Sequence, residues 1–227
     1  MALLTTPLAP PPLVLMYHGV DVVPAADDPD NLFVPVDALA RHLDRLLERG
    51  FTVIDEDTYV EGLHGARLPR RSVLLTFDDG LVSVLDKAAP LLAERSAPAV
   101  CYVSAGLLGR GPVAPGQPHT ALLDAEQVHD LGSYGVTVGC HGWDHTSMRQ
   151  LPADELERAT TQARRCLRDI TGLAPRTFAY PFGHHDRRAR AAVRQAGYAC
   201  AFATHDGRGR YAVPRVDVDV EGGRVRV

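Results

Sequence analysis

Short apolar runs alternate along this chain with segments whose apolar residues recur at helical spacing, and no other feature restricts its fold as much. Leu13–Tyr17, Ser72–Phe77, Ala99–Val103 and Val136–Cys140 are mostly apolar runs of five or six residues. That is the length of a strand buried on both faces, and too short for a buried helix. Val36, Leu39, Leu43, Leu46 and Leu47 recur every three or four residues before Gly50, and Leu156, Ala159, Ala163, Leu167 and Ile170 do so before Gly172. Both patterns predict amphipathic helices with a glycine stop. Further strands are predicted over 51–54, 177–180, 199–204 and 212–216, further helices over 81–95, 124–131 and 186–195, and a long Gly- and Pro-rich loop over 106–120. Buried strands alternating with amphipathic helices make parallel βα units, so the expected fold class is α/β. A length of 227 residues suits one domain over 1–227 better than two, with 1–12 and 221–227 poorly ordered at its ends.

Composition narrows the function classes. The net charge of −4 disfavours nucleic acid as a partner, because phosphate binding needs a clustered excess of Lys and Arg. The basic residues are nearly all Arg, with Lys87 the only lysine, and those on predicted helices read as solvated faces. The first basic residue is Arg41, so the N-terminus lacks the positive region of a secretory leader, and Leu13–Tyr17 is too short to span a bilayer. The expectation is a cytoplasmic protein with no membrane association. Cys101, Cys140, Cys166 and Cys200 are widely spaced with no CxxC pair and read as small buried hydrophobes.

The polar residues that matter fall at strand ends. His18 follows Tyr17, Asp78 and Asp79 follow Phe77, His141 follows Cys140, and Pro181, Phe182 and Gly183 follow Tyr180. Parallel strands bring their C-terminal ends to one face, where active sites are built. Asp78-Asp79-Gly80 is also good turn chemistry, and on its own a turn is the better reading. His141 and His145 are four residues apart, a spacing that lets both imidazoles reach one ion if the segment turns helically. A zinc protease with HExxH would need Glu where Gly142 stands. An Asp with two His is also the ligand set of non-haem iron oxygenases, which keeps oxidation as an alternative. Cys140 is a conceivable further ligand, but strand neighbours alternate and its side chain is expected on the opposite face from His141.

Thr76-Phe77-Asp78-Asp79-Gly80 resembles the TFDDG motif of NodB-type polysaccharide deacetylases (carbohydrate esterase family 4). His141 with His145 resembles that family's HSxxH, and Phe178-Ala179-Tyr180-Pro181-Phe182-Gly183 its FAYPYG motif. Together with Tyr17-His18, the matches cover almost the whole chain. The resemblance implies a distorted, incomplete (β/α) barrel, with Asp79, His141 and His145 as ligands of one divalent metal and Asp78 as catalytic base. It also implies an oxyanion hole formed with the backbone N–H near Phe182, beside Pro181. Three departures stand out. Gly142 replaces the usual Ser or Thr. Ala179 stands where many members carry an Arg that orients the base, and Arg215 is the candidate substitute. The C-terminal Leu-x-His that supplies the acid is missing, and relatives with permuted motif order carry that His near the N-terminus in a Tyr-His segment. His18 is therefore the expected acid, with His205 as the late alternative.

The expected activity is removal of an N-acetyl group from an amino sugar by metal-activated water. Zinc is the default by ligand type, with cobalt, nickel, manganese and iron as alternatives. The expected substrate is a small N-acetylated sugar or glycoconjugate. Hydrolysis of another amide or imide on the same site is the nearest alternative, and an oxygenase or metal-binding module the more distant one. His184, His185 and Asp186 either reach the substrate or form a solvated loop.

Overall fold

The computed structural model describes residues 11–112, 116–204 and 206–218. His205 and the tail 221–227 lie outside them, as do residues 1–10 of the N-terminal segment. The elements in chain order are β1 (Leu13–Tyr17), β2 (Gly19–Val20), β3 (Phe33–Val34), α1 (Val36–Glu48), β4 (Thr52–Val53), α2 (Glu56–Leu63), β5 (Ser72–Phe77), α3 (Ala89–Glu94) and β6 (Ala99–Val103). They continue with α4 (Ala125–Asp130), β7 (Val136–Cys140), α5 (Ala153–Glu157), α6 (Ala163–Thr171), β8 (Thr177–Ala179), α7 (Arg187–Gln195), β9 (Cys200–Phe202) and β10 (Val216–Asp217). Among the described residues no helix is long and apolar enough to cross a membrane.

The large sheet runs β10-β1-β5-β6-β7-β8-β9, with every pairing parallel and β4 sharing with β6 the edge of β5 that faces away from β1. The sheet curls into a half-barrel with helices outside, the distorted (β/α) architecture expected from the motifs. Its two edges approach through the last segment. Val213 bridges Phe202 of β9, and Val216 and Asp217 pair with Leu15 and Met16 of β1.

Strand alternation sorts side chains between two cores. Val14, Leu74, Val100, Tyr102, Ala179, Cys200 and Phe202 face inward and pack with Ile54 and Tyr59. Their neighbours Leu15, Leu75, Cys101, Phe178 and Cys140 face outward against helix residues such as Leu39, Leu43, Leu92, Leu167 and Val193. Cys140 thus lies on the outer face, as alternation predicts. Gly139 faces inward, where a Cβ would sit 2.2 Å from the Tyr102 ring, so the barrel interior admits only glycine there.

Several predicted boundaries shift for local reasons. The helix predicted over 81–95 yields Leu81 to an antiparallel bridge with Leu122 and opens with a π turn, Val84–Ala88. Pro90 lacks an N–H for the carbonyl four residues back, which favours such a widened turn. A second π turn, Arg158–Gln162, interrupts the helix predicted around Leu156 to Ile170, and the Tyr198 hydroxyl donates to the Thr160 carbonyl at 3.0 Å. Of the strand predicted over 212–216, only Val216 continues into β10. The short β2 and β3 and helix α2 lack the periodicity that would have announced them, although α2 is capped by Asp55, which accepts from Thr58 N at 2.7 Å.

Candidate metal centre and active site

Continuing the alternation past each strand end explains why the polar residues converge. On β5 the inward positions are Leu74, Thr76 and then Asp78, whose N–H still donates to the Tyr17 carbonyl at 2.9 Å. Asp79 and Gly80 then both take left-handed backbone, each at φ 72°, and turn the chain at the barrel mouth. Asp tolerates that conformation better than most residues and Gly pays nothing for it. On β7 the inward position after Gly139 is His141, 1% exposed, with its N–H on the Val103 carbonyl at 2.9 Å. The segment after it does not make the helical turn that would be one way to bring His145 to the same ion. Gly142 at φ 84° and His145 at φ 58° fold it into an irregular loop that returns the second imidazole to the first, with ring centroids 5.0 Å apart. Glycine at 142 suits that left-handed backbone, where the family's usual Ser or Thr would be strained.

Asp79, His141 and His145 each offer a ligand atom, and these atoms lie within 4.8 Å of one another. His141 Nε2 stands 3.3 Å and His145 Nε2 3.1 Å from Asp79 Oδ1. The Ala179 carbonyl can only accept, so His141 Nδ1–H donates to it at 2.8 Å and Nε2 is the nitrogen turned towards the carboxylate. Asp79 Oδ1 is buried without a satisfied hydrogen bond. A buried carboxylate oxygen without a hydrogen bond, with two imidazole nitrogens converging on it, is a donor set that fits a divalent ion. The backbone carbonyl on the far side of His141 is the usual support for a ligating imidazole. Burial pushes the Asp79 carboxyl up, but the close approach of His141 and His145 and the charge of His18 and His141 hold it well below the ordinary range.

Asp78 is 3% exposed and paired with Arg215, whose side chain is fully buried. Arg215 Nη1 donates to Asp78 Oδ1 at 2.7 Å and Nη2 to Oδ2 at 2.6 Å, a bidentate fork. Nη1 also donates to Thr76 Oγ1 at 3.2 Å and Nε to the Ala203 carbonyl at 3.1 Å. The guanidinium lies 5.7 Å from the Tyr102 ring centre and 5.9 Å from that of Phe202. Burial raises the Asp78 carboxyl, while the charges of Arg215, His141 and His18 and the Arg215 hydrogen bonds outweigh it, leaving the group below its ordinary value. Ala179, where an Arg was expected, gives its carbonyl to His141, and the cation reaches Asp78 from the segment before β10 instead.

His18 is half-buried at the end of β1, and its charge lowers Asp78, Asp79 and Asp217. Asp217 is the residue that sequence reading missed. It lies two positions beyond Arg215 and so on the same face, a signal available once 212–217 is read as extended chain. Burial raises its carboxyl, against the charges of His18 and Arg215.

Phe182 takes left-handed backbone at φ 58° and ψ 9°, between buried Pro181 and Gly183, and its 59% exposed ring meets the edge of His145 at 4.6 Å. The neighbouring polar residues serve the fold. Asp186 caps α7 through Ala189 N at 2.9 Å and accepts from Gln150 N at 2.9 Å, His185 stacks on Tyr180, and His184 bonds Ser147 Oγ at 3.1 Å. A groove of about 370 Å³ opens beside the donors, lined by Asp79, His145 and a row of apolar side chains.

Comparison with known proteins places this geometry in a family. A Streptococcus pyogenes deacetylase, PplD, solved in complex with acetate, superposes with a TM-score of 0.82 over 92% of each chain at 22% identity. IcaB from Ammonifex degensii superposes at 0.79 over 92% of each chain, with 28% identity. YxkH of Bacillus subtilis (strain 168) is 22% identical over 211 residues, 90% of this chain and 70% of that one. Residues 65–201 match the family model for polysaccharide deacetylases, a stretch that carries the paired aspartates, both histidines and the Pro181 turn. With more than half its length matched and those strand ends gathered at one barrel mouth, the chain belongs to the polysaccharide deacetylase family.

Proposed function

We propose that this chain is a metal-dependent de-N-acetylase acting on the amino-sugar part of a small glycoconjugate. The observation that carries the reading is the division of labour between adjacent aspartates. Asp79 faces two imidazoles with an unsatisfied oxygen, whereas Asp78 has both oxygens occupied by Arg215. Asp79, His141 and His145 would hold the ion, zinc by donor type. When bound, that ion supplies a water of near-neutral pKa and polarises the amide carbonyl.

The chain's own groups supply the rest. Asp78, held below its ordinary pKa, is ionised at neutral pH and takes the water's proton. Arg215 fixes that carboxylate against rotation, so the proton is accepted at a defined place. The left-handed turn at Phe182 presents backbone N–H to the developing oxyanion. His18 protonates the departing amine, a poor leaving group otherwise, and the Asp217 carboxylate is its electrostatic neighbour.

Acetate release across a panel of N-acetylated sugars, after chelation and with metals restored singly, tests the reading. Metal-dependent release that needs neither oxygen nor a co-oxidant supports it, and no release from any member opposes it. His18→Ala should keep its metal and lose roughly 10²–10⁴-fold in rate, less for amides whose amine leaves easily. A rate near wild type in that variant, with a large defect in His205→Ala, would move the acid to His205.

A further inference from the structure

The groove beside the metal donors is apolar where a sugar would ask for hydrogen bonds. Leu32, Phe33, Leu81, Leu107 and Leu122 supply most of its exposed lining, with Ser104, Arg110, Thr120 and Asp144 as polar members. It begins at Asp79 and His145 and so is continuous with the proposed metal site. A volume of about 370 Å³ is that of a small-molecule site, far more than the methyl of an acetyl group fills. Its position relative to the two halves of the substrate follows from the backbone. The Leu32–Phe33 wall hangs on the chain leaving His18, through Gly19 N to the Leu32 carbonyl at 3.0 Å and the pairing of Gly19 with Phe33. Neither His18 nor Phe182 lines the groove itself. The Phe33 ring that walls it lies over Gly19, the residue after His18, so this wall stands beside the strand end that carries the proposed acid, where the amine-bearing half of the substrate leaves.

We infer that the groove binds an apolar substituent on the amine-bearing half of the substrate, so that the preferred substrate is an N-acetylamino sugar carrying an apolar aglycone. This rests on the deacetylase reading and narrows it. Apolar area is the part of such a ligand that gains most from leaving water, and a wall of leucines discriminates by how much of it is buried.

The test compares acetate release from the methyl and n-octyl glycosides of N-acetylglucosamine, the latter below its micelle concentration. The octyl glycoside should have kcat/KM at least about tenfold higher, the gain that burying two methylenes supplies. In Leu107→Asp and in Leu122→Asp the octyl-to-methyl ratio should fall towards one. Because both substrates are read on one preparation, a partly unfolded variant does not change the ratio. Equal efficiency on the two glycosides in the unaltered protein would overturn the inference while leaving the deacetylase reading intact. So would a preference for N-butyryl over N-acetyl sugars that Leu107→Asp abolishes, because the groove would then hold the acyl chain. No acetate from either glycoside with metal restored would count against the deacetylase reading, and the inference would fall with it.

Discussion

At the scale of single residues, environment separates groups that the sequence presents as equals. Asp78 and Asp79 are adjacent carboxylates, yet one is matched by a buried guanidinium and the other by two imidazole nitrogens. Replacing Arg215 by Met should remove most acetate release and destabilise the fold by about 3–5 kcal/mol, because Asp78 would remain as an uncompensated buried charge. Asp78→Asn combined with Arg215→Met should recover stability without activity. Equilibrium unfolding of the single and the double variant, with acetate release measured on both, checks these statements. Glu56, 4% exposed at the inner end of the barrel, is a second buried carboxyl with a different fate. Burial, aided by Asp57, pushes it up to about 7 from 4.5 against the Thr177 hydrogen bond at 2.6 Å and the charge of Arg176. Between those two values the folded chain keeps a proton that the unfolded chain has released, so the stability tied to Glu56 is full below pH 4.5 and is lost as pH rises through 7. The loss is on the order of 3 kcal/mol. Glu56→Gln should therefore raise the midpoint of thermal unfolding at pH 8 more than at pH 5, and an equal change at both pH values would refute the assignment.

At the scale of elements, legibility followed the strength of the pattern. β1, β5 and β6 could be read because both of their faces are buried, which leaves a continuous apolar run, and β7 because Val136, Val138 and Cys140 share its outward, helix-packed face. The same alternation placed Cys140 outward and His141 inward without further information. β2, β3 and α2 were missed because two-residue strands carry no period and because α2 is held by its Asp55 cap and by Tyr59 and Val60 more than by an apolar stripe. The spacing of His141 and His145 left the path between them open, since it does not distinguish a helical turn from the two left-handed residues that bring the rings together. Arg215 is legible in the sequence as the cation that Ala179 does not supply, whereas Asp217 lies one residue beyond the strand predicted over 212–216. β7 also carries a packing prediction. Gly139→Ala places a methyl against Tyr102, the ring beneath Arg215, and should cost about 1–3 kcal/mol with a fall in turnover. Unchanged unfolding and rate in that variant would show that the barrel interior is looser than the 2.2 Å approach requires.

At the scale of the molecule, a parallel half-barrel gathers at one rim what the chain spreads over two hundred positions, from His18 to Asp217. The segment from Val213 to Val218 does more than end the sheet. It bonds β9 through Val213 and β1 through the Val218 N–H to the Met16 carbonyl at 3.1 Å, and in crossing between them it delivers Arg215 inward and leaves Asp217 exposed. Joining the two edges of the half-barrel and pairing Asp78 with Arg215 are thus one structural event, and the site depends on strands from both ends of the chain. The central claim is that Asp79, His141 and His145 hold the metal while Asp78 moves the proton. Bound-metal stoichiometry, measured beside acetate release on the same samples, tests it most directly. Asp78→Asn should retain one ion per chain and release almost no acetate, whereas His141→Ala and His145→Ala should each lose most of the metal. Full occupancy in both histidine variants, or loss of the ion in Asp78→Asn, would contradict the account.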